Sequence, residues 1–184
     1  IESLEIRQNA LGEQHVDTAL VLNNLGDLSR KYKDYPSAID YFKQSLEIYQ
    51  AIFGEDHPSV LRTLGNLGTV YMDHGDLKTA ETYLKRSLYA RIRTLGETHS
   101  AVARSLNNIG MLAFMSGDLG EAKEYLSRAS KVSRKTLGET HPMTATAMQN
   151  ETVVATVSGN HAEALAIMDA VRRNVALHVA TLLP

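Results

Sequence analysis

The chain has 184 residues, of which 43% are hydrophobic and 22% charged, and its formal net charge is −2 at pH 7. That apolar fraction is enough for a buried core, whereas the near-neutral charge gives no general attraction to nucleic acid or to an anionic membrane. The chain has no cysteine, which excludes a disulfide framework and any thiolate metal site. No apolar run approaches a membrane span and no signal-peptide pattern opens the chain, so we expect a cytoplasmic protein.

One five-residue motif recurs every 42 residues and divides the chain. It reads LGEQH at 11–15, FGEDH at 53–57, LGETH at 95–99 and LGETH at 137–141. Self-similarity at a fixed period of this size indicates a repeat architecture. We therefore predict a single array with repeats at 12–53, 54–95 and 96–137, followed by a degenerate terminal repeat at 138–184. Residues 1–11 match the end of a preceding helix, so we expect the chain to be part of something longer.

Each repeat is predicted to contain two helices. In 54–95, Pro58 suits the first helical turn, and the residues Leu64, Leu67, Gly68 and Tyr71 then follow the spacing of one helical face. Gly75-Asp76 is a stop followed by a cap for the second helix. In 96–137 the same turn is Gly117-Asp118, and Asp118 with Glu121 has the spacing of a capping box.

Small residues recur where the two helices of a repeat are expected to touch. Glycine costs about 1 kcal/mol against alanine inside a helix, so a recurrent glycine implies a recurrent close approach. The first helices contain Gly26, Gly68 and Gly110, and we expect their partners to be Ala38, Ala80, Ala122 and Ala164 in the second helices. In the fourth repeat Glu151 and Thr152 replace the apolar residue and the glycine, which weakens its inner stripe. Its last helix, from about His161, lacks the stop and is expected to run to Leu183.

This order of leucine-glycine, alanine and a large residue four positions later resembles the tetratricopeptide repeat, whose usual length is 34 residues. The 42-residue period, the Asn-Asn-Leu-Gly of the first helix and the Leu-Gly-Glu-x-His linker are similar to the longer form in kinesin light chains and many bacterial proteins. The resemblance implies an all-α fold, a right-handed α-solenoid of antiparallel helix pairs. It also implies that first helices line a concave groove and second helices the convex side.

Four asparagines recur at the full period, on the side of the first helix opposite its inner stripe. They are Asn24, Asn66, Asn108 and Asn150. An asparagine amide both donates and accepts, so a row of them can hold a peptide backbone without demanding particular side chains. In peptide-binding tetratricopeptide proteins the matching position has this role. The alternative is an asparagine that only bonds its neighbouring helix.

Other candidate residues share that side of the first helices. The polar ones are Asp27, Lys31, Arg62, Arg104 and Asn107, and the apolar ones are Met72, Met111, Phe114 and Met115. The guanidinium fork suits carboxylates, which favours an acidic partner, and methionine surfaces suit adaptable binding of aromatic or aliphatic anchors. Kinesin light chains similarly recognise acidic segments with an aromatic anchor. The alternative for the two arginines is that they are solvated charges paired to Asp73 or Glu55.

The four linker histidines could suggest a metal site, which we reject. Zinc ligands must converge on one ion, whereas equivalent residues of stacked helices are about 8–10 Å or more apart. Packing and hydrogen bonding in the linker are the expected roles. No phosphate loop, nucleophile elbow or metalloprotease motif is present, and basic residues do not interleave with aromatics as in nucleic-acid binders. We therefore expect no enzymatic activity and no cofactor.

The sequence favours a protein-interaction module that binds a short, acidic peptide or partner segment in the groove. The alternative is a regulatory array within a larger enzyme or signalling protein. A third possibility is an array that stacks on copies of itself.

Overall fold

The computed structural model describes residues 14–182, with side chains up to residue 173. Within this part of the chain every regular element is an α-helix. The eight helices are α1 (Val16–Lys31), α2 (Tyr35–Phe53), α3 (Pro58–His74), α4 (Leu77–Leu95), α5 (Ser100–Met115), α6 (Leu119–Leu137), α7 (Pro142–Val157) and α8 (His161–Leu182). The predicted helix in 1–11 and the predicted helix end at Leu183 lie outside the described residues. We call α1, α3, α5 and α7 the first helices, and the others the second helices.

The chain forms two compact units, Ile1–Ala90 and Arg91–Pro184, which meet inside α4. In unit 1 the apolar faces of α1 to α4 enclose a continuous core. Its largest fully buried side chains are Leu22, Phe42, Tyr49, Leu64, Leu67, Leu84 and Leu88. These residues recur at three- and four-residue spacing within each helix, which is the pattern that directs one helical stripe to the interior.

The linkers set where the helices begin. The four linker histidines His15, His57, His99 and His141 are the N-caps of the first helices, and each Nδ1 accepts a hydrogen bond from the backbone N–H two residues later. The expected hydrogen-bonding role of these histidines is confirmed. Asp34 and Asp118 cap second helices in the same way, accepting from the N–H groups of Ser37 and Glu121. A cap satisfies a donor that the helix itself leaves unpaired.

The recurrent glycines mark the closest approach between the two helices of a repeat. A Cβ added to Gly68 would lie 2.5 Å from Leu84 Cγ and 3.1 Å from its backbone nitrogen, and at Gly110 the distances to Leu126 would be 2.6 and 3.2 Å. The same atom on Gly26 would lie 2.7 Å from the Phe42 ring. The nearest atoms therefore belong to the large residue four positions after Ala38, Ala80 and Ala122 and not to the predicted alanines themselves, while the short distances to the backbone of Leu84 and Leu126 agree with the predicted close approach.

Unit 2 repeats this packing once and then departs from it. Leu126, opposite Gly110, is fully buried, whereas Met168, at the equivalent place opposite Thr152, is 40% exposed. Thr152 carries the side chain that the glycine lacks, and the exposure of Met168 agrees with the weakened inner stripe predicted for this repeat. Glu151 is half-buried and accepts a hydrogen bond of 2.7 Å from Ser130 Oγ. Across residues 14–182, no helix has the length and apolarity needed to cross a bilayer.

Candidate partner-binding face of the first helices

In unit 1 the first helices are joined by a buried asparagine that the sequence did not single out. Asn23 on α1 donates through Nδ2 to Ser45 Oγ on α2 and to Thr63 Oγ1 on α3, both at 2.7 Å. Its Oδ1 accepts from Asn66 Nδ2 at 3.1 Å. Both donor hydrogens and the carbonyl oxygen of this amide are therefore engaged. Its signals in the sequence were its position directly before the recurrent Asn24 and its equivalence to the predicted Asn107 two periods later.

The recurrent asparagines of unit 1 are partly committed to this network. Asn24 lies at the surface of α1, and Asn66 on α3 is half-buried. The bond from Asn66 to Asn23 is the helix-to-helix contact that the alternative interpretation required. It uses a single hydrogen of the amide, and within residues 14–182 the Asn66 carbonyl oxygen has no hydrogen-bond partner. Asn66 therefore combines a structural bond with an open acceptor.

Arg62 stands beside Asn66 on α3 and is incompletely paired. Its Nε is buried and has no hydrogen-bond partner among the described residues. The phenol of Tyr49 lies next to the guanidinium; burial raises the pKa of Tyr49, and Arg62 opposes that shift. Burial likewise raises the pKa of Asp27, although Arg30 and Arg62 pull it down. Arg62 is thus a half-buried cation without a dedicated carboxylate.

The alternative pairing proposed for Arg62 is wrong. Asp73 accepts a hydrogen bond of 2.7 Å from Arg30 Nε on the neighbouring first helix. Glu55 accepts from Gln50 and forms an ion pair with Arg86 on α4. Both carboxylates are therefore occupied by other partners.

Two more predicted residues of unit 1 lie at the surface, and one does not. The side chains of Asp27 and Lys31 on α1 are exposed to solvent. Met72 on α3 is only 9% exposed, because it packs into the interior. Its expected contribution to an apolar binding patch is therefore wrong, since its thioether offers almost no surface to a partner.

In unit 2 the first helices α5 and α7 are joined by an amide bond between predicted residues. Asn150 Nδ2 donates to Asn107 Oδ1 at 2.9 Å. Asn107, Asn108 and Asn150 are all half-buried. This bond is equivalent to the bond between Asn66 and Asn23, because each joins the first helices of two successive repeats through side-chain amides.

Apolar side chains cover the C-terminal halves of α5 and α7. Met111 and Phe114 pack against a buried cluster that includes Ala113 and Val154. Beside them Met115, Val153 and Val157 are 49%, 46% and 58% exposed. We call Met111, Phe114, Met115, Val153 and Val157 the apolar face of unit 2. Val153 and Val157 were not among the predicted residues, although each follows Met111 or Met115 by one period of 42 residues, which was the signal that could have found them.

The second predicted arginine, Arg104, lies in the N-terminal half of α5, before the apolar residues of that helix. Its side chain is exposed. Its neighbour Arg91 is buried and donates to Ser105 Oγ at 2.6 Å and to the Ala101 carbonyl at 3.3 Å. Burial, and then the charge of Arg104, lower the pKa of Arg91 to about 10. The charges of Arg104 on α5 and Arg91 on α4 are close enough to repel each other, and two neighbouring guanidinium groups favour an anionic group nearby.

The side chains on these faces are amides, guanidinium groups and apolar groups, which are types suited to recognition of a partner. No group of three or more potential metal ligands comes together in residues 14–182.

Sequence comparison identifies the family. Residues 1–51, 33–92, 59–135 and 102–174 match the tetratricopeptide repeat. The chain belongs to this family. Tetratricopeptide arrays are scaffolds for protein–protein interaction and typically non-catalytic, so the function of this array is of that class and its partners are proteins or peptides. No significant match was found among curated protein sequences.

Solved structures share the solenoid fold at low sequence identity. BtubC (BKLC) from P. vanneervenii superposes with a TM-score of 0.81 at 22% identity, over 96% of this array and 70% of that chain. A Podosopora anserina protein, described as a kinesin light chain with nearly identical TPR-like repeats, gives 0.78 at 21% identity, over 97% of this array and 84% of that chain. A Rap protein complexed with competence and sporulation factor gives 0.78 at 19% identity, over 88% of this array and 43% of that chain.

Proposed function

We propose that the first-helix faces bind a short acidic peptide or partner segment that carries an aliphatic or aromatic anchor. The observation that carries this proposal is the half-buried guanidinium of Arg62, which lies beside the Tyr49 phenol while Asp73 and Glu55 pair with other residues. A carboxylate from a bound segment would pair with the part of this guanidinium that is open to solvent, because charge-assisted hydrogen bonds are among the strong ones. Asn66, with its open carbonyl oxygen in the same unit, supports backbone recognition next to that carboxylate.

The apolar face supplies the second element of the proposal. Met115, Val153 and Val157 together expose enough apolar surface that covering them with one large side chain would be favourable, at about 25 cal/mol per Å² buried. Methionine adapts its shape to different anchors. The positive charge of Arg104 on the same helix favours acidic residues close to that anchor.

The test is a peptide library rich in acidic and aromatic residues, screened against the wild type and followed by isothermal titration of the selected binders. Arg62→Glu is expected to weaken binding by about tenfold or more, because it removes an attraction and adds a repulsion. Arg86→Glu on the second helix α4 is the matched control, since it changes the net charge by the same amount. Failure to select any binder, or equal affinity of the two variants, would contradict the proposal.

The asparagines are tested separately. Asn66→Ala/Asn108→Ala is expected to weaken peptide binding while leaving the helical circular dichroism signal unchanged. A large fall in thermal stability with intact binding would instead assign these amides a structural role alone.

A regulatory array within a larger signalling protein is the second candidate function. The match to the Rap protein favours this candidate, because the array covers only 43% of that longer chain. The full-length gene product decides it: a catalytic or effector domain in the same reading frame supports this candidate, and an array alone contradicts it.

A further inference from the structure

The last second helix, α8, carries a stripe of residues with the spacing of a coiled coil. From the second turn onward, intervals of three and four residues alternate along one side of this helix. The stripe consists of Leu165, Met168, Arg172, Val175, Val179 and Leu182. Apolar residues that alternate in this way are typical of helices that pair along a seam. We call these six residues the α8 seam.

The seam is open to solvent wherever the structure describes its side chains. Leu165 is 60% and Met168 40% exposed, and Arg172 is exposed as well. On α2 the residues equivalent to Met168 and Arg172 are Phe42 and Leu46, which are buried in one core with residues of the following first helix α3. The stripe that α3 covers on α2 therefore lies uncovered on α8.

The chain does not turn back at the position where it would cover the seam. At the residues equivalent to Ala180, the earlier repeats have Gly54, Gly96 and Gly138, whose positive φ angles accompany the ends of α2, α4 and α6. An alanine does not favour that conformation, and α8 continues to Leu182. Residues 179–183 read VATLL, without the linker motif. The reversal that places a next first helix on this stripe is thus missing from α8.

We propose that the α8 seam binds the α8 seam of a second copy of this chain, with the two helices antiparallel. Such a contact is isologous, since the same surface is used by both copies. A two-fold axis between positions 173 and 174 brings all six seam residues of each copy into contact. The pairs are Leu165 with Leu182, Met168 with Val179, and Arg172 with Val175.

The antiparallel orientation follows from Arg172, the charged member of the seam. A parallel pair in register would place the two Arg172 guanidinium groups opposite each other, and like charges at an interface are costly. In the antiparallel pair each Arg172 lies opposite Val175 instead. Its aliphatic stem can cover that side chain while its charged end stays in water.

The contact would leave the proposed peptide-binding face open, because α8 is a second helix and that face belongs to the first helices. A dimer would therefore carry two such faces. A partner with two binding segments would bind a dimer more tightly than a monomer, since its second segment binds at a raised effective concentration. The dimer itself does not depend on the peptide proposal.

The first test is sedimentation equilibrium of the full chain over a range of protein concentrations, where the wild type is expected to show a monomer–dimer equilibrium. Leu165→Asp places a carboxylate in the seam and is expected to raise the dimer dissociation constant by about tenfold or more. Ala166→Asp is the matched control, because it adds the same charge at an exposed position outside the seam. Circular dichroism checks that both variants remain helical. A monomeric wild type, or equal dissociation constants for the two variants, would overturn the proposal.

The second test addresses the orientation, and the absence of cysteine from the chain makes it simple. Leu165→Cys and Leu182→Cys are oxidised separately and as an equimolar mixture. Antiparallel helices predict disulfide-linked dimers in the mixture and few in either variant alone. Efficient linkage of Leu165→Cys with itself would indicate a parallel pair and overturn the proposed orientation. A mixture without linked dimers would overturn the proposed pairing.

Discussion

The two units place opposite chemistry at equivalent positions of their first helices. In unit 1 Asp27, Lys31 and Asp73 occupy positions whose equivalents, two periods later, are Met111, Met115 and Val157. Unit 1 joins its first helices through the Arg30–Asp73 ion pair and the amides of Asn23 and Asn66. Unit 2 joins its first helices through the Asn150–Asn107 amide bond and has an apolar surface beside it.

This difference separates what the repeat must keep from what it can vary. The close glycine contacts at Gly68 and Gly110 are nearly the same in the two units, because they set the distance between paired helices. The face of the first helices is free of that constraint. In unit 1 Asn23 binds Asn66 and Arg30 binds Asp73, so the proposed partner would gain there mainly through Arg62 and Asn66. In unit 2 the proposed partner would gain by covering apolar surface.

The sharpest contrast is between the amides that join the first helices. Asn23→Ala removes the partner of Ser45, Thr63 and Asn66 at once and is expected to lower the free energy of unfolding by about 2–3 kcal/mol. Asn107→Ala removes a single half-buried bond and should lower it by about 1 kcal/mol. Urea denaturation measures both. Equal losses in free energy of unfolding would show that the amides stabilise the first helices of each unit to the same extent, which would contradict the contrast drawn between the units.

The shared scaffold is tested at its glycines. Gly110→Ala is expected to destabilise unit 2 by about 1–3 kcal/mol, because the new methyl group overlaps Leu126. Gly120→Ala on α6 meets only Asp118 at 3.5 Å, so the control should gain about 0.5–1 kcal/mol from helix propensity. Differential scanning calorimetry compares the two. A stabilising effect of Gly110→Ala would contradict the proposed packing constraint.

The ion pair of unit 1 is expected to matter less for stability. Asp73→Val introduces the residue type of the equivalent position 157 and should lower the free energy of unfolding by about 1 kcal/mol or less, because both partners are partly exposed. The same variant should bind an aliphatic or aromatic peptide more tightly, as measured by titration calorimetry. Unchanged peptide affinity would show that apolar character on this face is not what a partner recognises.

The smallest effect is expected at a turn where the units differ. Lys33 has a φ of 63°, and its equivalent Gly117 has a φ of 85°. Lysine is strained in this left-handed conformation, so Lys33→Gly should raise stability by about 0.5–1 kcal/mol. Gly117→Lys should lower it by a similar amount. Thermal melts of both variants decide whether the turns are equivalent.

Much of the fold could be predicted because it depends on contacts close in sequence. The linker motif fixed the period, and the caps at His57 and Asp118 depend only on residues two or three positions away. Burial of Met72 and the central role of Asn23 depend on side chains from other helices, such as Thr63, forty residues from Asn23. A helical wheel gives the direction of a side chain, but the neighbouring helix decides whether that direction is open to water.

The most direct measurement is calorimetric titration of a selected acidic, aromatic peptide into variants of the chain. These variants carry a new carboxylate either on the first helices or on a second helix of unit 2. Met115→Asp and Val157→Asp place a carboxylate in the apolar face, whereas Leu165→Asp does so on α8, where the side chain is 60% exposed. The first two substitutions are predicted to weaken binding by about tenfold or more, and Leu165→Asp to leave it unchanged. Binding that survives Met115→Asp and Val157→Asp but is lost with Leu165→Asp would contradict the assignment of the first-helix face.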